Sequence, residues 1–79
     1  MHYVLIIISG GIIDQVIFYD NPSTAVHDLS EFVKTMNPEK HDAAVYGPEG
    51  LISNTKDFLD ENDQLKQHVI ITVEKKDMV

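Results

Sequence analysis

The sequence predicts a two-layer α+β domain, one sheet beneath one long helix, on three observations. Two β-branched and aromatic runs, Tyr3–Ile8 and Ile12–Tyr19, flank the pair Gly10-Gly11. An apolar stripe at helical spacing follows between residues 22 and 36. Shorter β-branched runs then return before the chain ends. Strand-period runs joined by glycine, followed by a helix-period stripe, bury their apolar sides by packing sheet against helix.

Each element has its own local cause. Glycine enters positive-φ turns without steric cost, so Gly10-Gly11 closes a hairpin whose turn matches strand twist. After Tyr19, Asn21 can cap free amides, and Pro22 suits a first helical position, where its missing N–H costs nothing. Ala25, Val26, Leu29, Phe32, Val33 and Met36 then line one side of a helix, with His27, Asp28, Ser30, Glu31 and Lys34 on the other. The expected core of this helix is Leu29, Phe32, Val33, Val26 and Met36. Asn37-Pro38 ends it, because a residue before proline is pushed out of the α region. Asp42–Tyr46 and Leu51–Ser53, joined by Gly47-Pro48-Glu49-Gly50, predict a second and shorter hairpin. Asn54 or Thr55 caps a brief helix through Glu61, anchored by Phe58 and Leu59. His68–Val73 is β-branched almost throughout and predicts a last strand; residues 75–79 are expected to fray.

The order ββαββ(α)β in a chain of 79 residues resembles the ubiquitin-like β-grasp arrangement. The resemblance covers the whole chain and rests on element order. It implies a mixed sheet of four or five strands, with the first and last strands parallel neighbours at its centre. The two most uniformly apolar runs are the first and last, as central strands require. The chain ends Asp77-Met78-Val79 rather than in a glycine pair, so a role as a conjugated modifier is not supported. An antiparallel sheet with the third strand beside the first is the simpler alternative.

Seventy-nine residues make a single domain, residues 1–79, with no room for a second core. The chain has no cysteine, which excludes disulfides and thiolate chemistry and fits a reducing, cytoplasmic location. Its start lacks a basic n-region and a cleavage site, so no signal peptide is expected, and its apolar runs are far too short to span a bilayer. Thirteen acidic residues against six lysines and no arginine give a net charge of −7. Without arginine, direct nucleic-acid binding is disfavoured.

No constellation for chemistry stands out. His2, His27, His41 and His68 have no partner at a metal-ligand spacing; only His2 and His68, as neighbours on parallel strands, offer a route to a zinc site. The acids Asp57, Asp60, Glu61 and Asp63 lack the ligand alternation and central glycine of a calcium loop. Ser9-Gly10-Gly11 lacks the lysine and following helix of a phosphate loop. One helix over one sheet leaves little volume for an apolar pocket of ~300 Å³ or more. The expectation is a chain without enzymatic activity, catalytic residues, metal or cofactor, and with no evident small-molecule substrate.

The sheet side away from the helix is the expected functional surface. A two-residue turn at Gly10-Gly11 pairs Leu5 with Val16 and Val4 with Ile17. One face then carries Tyr3, Leu5, Ile7, Ile12, Val16 and Phe18, interrupted by Ser9 and Asp14, and the other Val4, Ile6, Ile8, Ile13 and Ile17, with His2, Gln15 and Tyr19. Both are mostly apolar, so whichever the helix covers, the other stays bare. The aliphatic set is expected inside, which makes Tyr3, Leu5, Ile7, Val16 and Phe18 the candidate interaction residues. The function expected is a small acidic protein-interaction module or accessory subunit, with homodimerisation through the sheet face as one form. An acidic decoy of a nucleic-acid-binding protein and a small-ligand sensor are the alternatives.

Overall fold

The computed structural model describes residues 2–62 and 64–66. Its elements are β1 (Tyr3–Ser9), β2 (Ile12–Tyr19), α1 (Pro22–Thr35), β3 (His41–Gly47) and β4 (Gly50–Asn54), followed by a single 3₁₀ turn at Thr55–Asp57. Gly10 and Gly11 both take positive φ, 59° and 80°, which is what a tight hairpin turn between β1 and β2 requires. The α1 N-terminus forms as its residues dictate. Asn21 is extended and its side chain accepts a 2.7 Å hydrogen bond from the Ser23 amide, with Pro22 opening the helix. The helix stops at Thr35, and Met36 is already extended ahead of Asn37-Pro38.

The four strands form one antiparallel sheet in the order β2-β1-β3-β4. Every pairing among the described residues is antiparallel, and the expected β-grasp order, with the last strand beside the first, is corrected. β1 has β2 on one side and β3 on the other, so neither of its edges is open to a parallel partner. The third strand lies beside the first, as in the simpler alternative. The run His68–Val73, His68 itself and the tail 75–79 lie outside the described residues.

α1 crosses β1 and β3 and buries Ala25, Leu29 and Val33, at i, i+4 and i+8, against Leu5, Ile7, Ala43 and Val45. Val26, Phe32 and Met36 flank this seam and are only partly buried, so the helix centre is Leu29 rather than Phe32. Phe32 instead meets the His41 ring edge-on, at 5.9 Å between centroids.

The expected second helix reduces to one turn. Asn54 and Asp57 cap each other's backbone in a capping box, and the Phe58 amide returns to Thr55 O. Asp60 then draws in the amides of Asn62 and Gln64, while Leu59 and Leu65 bridge as an antiparallel pair. These side-chain bonds close a loop where a helix needs backbone bonds. Phe58 and Leu59 still pack against the core as its anchors.

Candidate interaction surface

A bulge in β2 decides which side chains each sheet face carries. At the turn, Ile8 pairs with Ile13 and Ser9 with Ile12, the register a two-residue turn imposes. Between Ile7 and Ile8 the register shifts, so Ile7 pairs with Gln15, Ile6 with Val16, Leu5 with Ile17 and Val4 with Phe18. One extra residue flips every side chain beyond it relative to its partner strand.

The expected face is therefore split. Leu5 and Ile7 are 1% and 6% exposed and lie beneath α1, and Tyr3, half-buried, packs on the same core. Val16 and Phe18, 46% and 60% exposed, stand on the opposite side with Val4 and Ile6. The structure corrects the inside set: Leu5 and Ile7 are core, and the aliphatic Val4, Ile6 and Ile8 line the outer side. β3 and β4 continue that side with Ala44, Tyr46 and Leu51. Ile6, Ile8, Ile13, Ala44 and Tyr46 line a depression of about 230 Å³ there, with Asp42 in its wall. Charge stands at the margins, Asp14 in the bulge and Asp42 opposite Ile8. Asp42 is engaged by the Thr55 hydroxyl at 2.9 Å. Sequence reasoning missed the flip because the bulge carries no glycine or proline to announce it; Asp14, a lone acid in an apolar strand, is the one available signal.

The helix side also carries clefts. One, about 520 Å³, lies between the β3–β4 turn and the start of α1, lined by Tyr3, Pro22, Pro48, Glu49, Leu51 and Ile52. Its volume exceeds what the sequence led us to expect of so small a domain. Its lining brings together no acid–base pair and no nucleophile with a base, which is what catalysis in such a cleft requires. Gly47 forms part of its wall, and a Cβ there would sit 2.8 Å from Ile52 Cδ1 and 3.1 Å from the Tyr3 ring. Among the described residues, no group of three or more His, Asp or Glu is placed to hold a metal ion. No helix among them is long and apolar enough to cross a membrane.

Two polar groups are tuned by their surroundings. The Asp57 carboxylate is held below its usual range, chiefly by the 2.7 Å hydrogen bond from Ser53 Oγ, then by the Asn54 amide. Tyr19 OH donates a 2.7 Å hydrogen bond to Asp28, tying the end of β2 to α1. Burial, then that bond and the charge of Asp28, push the Tyr19 hydroxyl up to about 12. A folded-state value above the unfolded value of ~10 means the linked stability is complete below pH ~10 and is lost as pH rises towards 12. Alkaline unfolding followed by circular dichroism should therefore begin at higher pH in Tyr19→Phe than in the wild type. In the wild type, phenolate absorbance should show Tyr19 titrating late, a component that Tyr19→Phe removes.

No family model, curated protein or solved structure matches this chain.

Proposed function

We propose that this chain is a small, non-enzymatic interaction module of the cytoplasm, acting as an accessory subunit or by self-association through the bare side of its sheet. One observation carries the reading. The outer side presents Val4, Ile6, Ile13, Val16, Phe18 and Tyr46 with charge only at its margins. Monomeric domains rarely leave such a patch to water, because each exposed apolar group forgoes ~25 cal/mol per Å² of burial. The extents of the fold, 33 × 29 × 18 Å, give its broad side the dimensions of a standard interface, which takes about 800 Å² from each partner. The acidic residues spread over helix, loops and strand ends, unlike the phosphate-like row a nucleic-acid decoy needs.

Sedimentation at tens of micromolar tests self-association. The wild type should sediment above the 8.9 kDa monomer mass, and Val16→Asp, altered only at the surface, should return to it. A partner of another sequence is tested by affinity capture, in which Val16→Asp should lose what the wild type retains. Identical behaviour of the two proteins in both experiments would remove the sheet face as the docking surface.

A further inference from the structure

The two edges of the sheet are built differently. β4 has five residues, a register shift beside Tyr46 and an immediate capped turn at Asn54. Short, irregular strands of this kind resist pairing with another chain. β2 has eight residues and neither lysine nor proline, and among the described residues its outer edge pairs with nothing. α1 lies chiefly over β1 and β3 and holds β2 at Tyr19, through Asp28, so β2 from Ile12 to Phe18 is exposed. Ile12 and Ile17 are exposed on the helix side, and Ile13, Val16 and Phe18 on the other. A partner laid flat on the outer side would leave Ile12 and Ile17 wet. A partner strand at the β2 edge extends both sides at once.

We infer that β2 pairs antiparallel with β2 of a second copy of this chain, about a two-fold axis perpendicular to the sheet, joining two sheets into one. This rests on the reading of the chain as an interaction module and assigns its partner. Directly opposed residues of an antiparallel pair share a sheet face, so a strand pairs with its own copy only in registers that keep faces together. The bulge leaves Gln15–Tyr19 as the regular segment. Centred on Ile17, that segment sets Ile17 against its copy, and Val16 against Phe18 on both sides of the axis. These are β-branched and aromatic cross-strand pairs. Gln15–Tyr19 carries no charge, so the centre of the pairing is uncharged. Asp14 and Asp20 bound it, and this register brings Asp14 of each copy towards Asp20 of the other, a repulsion at the two ends that salt screens.

The experiment is a dilution series of the full chain, followed by sedimentation and by residue-resolved amide hydrogen exchange. A dimer is expected, with alternate amides of Gln15–Tyr19, those directed away from β1, gaining at least tenfold protection as it forms. Added salt should tighten the dimer. Ile17→Lys, and the milder Ile17→Thr should the first fail to fold, should weaken it at least tenfold, and Tyr46→Asp should not. Loss of the dimer in Tyr46→Asp alone, with the β2 amides unprotected, would overturn the edge pairing and leave association through the face standing. Loss of the dimer in Ile71→Lys but not Ile17→Lys would overturn it in favour of the C-terminal run. A wild type that stays monomeric throughout would overturn the self-pairing, while affinity capture separately decides the broader reading.

Discussion

Leu29→Ala should lower the stability of the domain by about 3–4 kcal/mol and its Tm by roughly 15–25 °C. Leu29 is fully buried at the centre of α1, and Leu5 and Val45, also fully buried, belong to the core beneath it. Removing its isobutyl group forfeits transfer free energy and leaves a cavity that two layers of short aliphatic side chains close only in part. A chain of this length has on the order of 4–12 kcal/mol in total, so the variant sits near the edge of folding. Phe32→Ala should cost less, because Phe32 lies at the seam's rim and its ring edge rests on His41. Thermal unfolding of the two variants by circular dichroism gives the order directly. A larger loss in Phe32→Ala would shift the helix register by a turn.

What was legible in the sequence was local. The Gly10-Gly11 turn, the Asn21-Pro22 start of α1 and its stop before Pro38 each depend on a residue and its immediate neighbours, and each forms where those residues stand. Strand order is a different kind of question. The apolar run of β1 fits a central strand in either topology, and nothing in its residues says whether its second neighbour is β3 or the last run of the chain. The short helix failed for a reason visible in retrospect: Asp57 and Asp60 spend their carboxylates on nearby amides, and those bonds close turns. The candidate surface was half legible. Composition alone leaves one apolar side uncovered, yet which side follows from one extra residue near Asp14, and the bulge sent Val16 and Phe18 outward while Leu5 and Ile7 went under the helix.

That division makes the paired substitutions Leu5→Asp and Val16→Asp the sharpest test of the register. The uninterrupted hairpin puts both residues on one face and expects both variants to fold. The bulged hairpin expects opposite results. At Leu5, 1% exposed within the hydrophobic core, an aspartate forfeits the leucine's burial and its carboxyl must either ionise away from water or stay protonated far above its usual range. Together these cost more than about 5 kcal/mol, comparable with the whole stability of the domain. Leu5→Asp should show no cooperative thermal transition at neutral pH. Protonating the carboxyl removes part of the cost, so any recovery should come on acidification towards pH ~4 and vanish as pH rises. Val16→Asp, with its side chain in water, should unfold cooperatively within about 1 kcal/mol of the wild type. Two folded variants would remove the bulge and return Leu5 to the bare side, whereas a folded Leu5→Asp beside an unfolded Val16→Asp would keep the bulge and put the helix on the other side of the sheet.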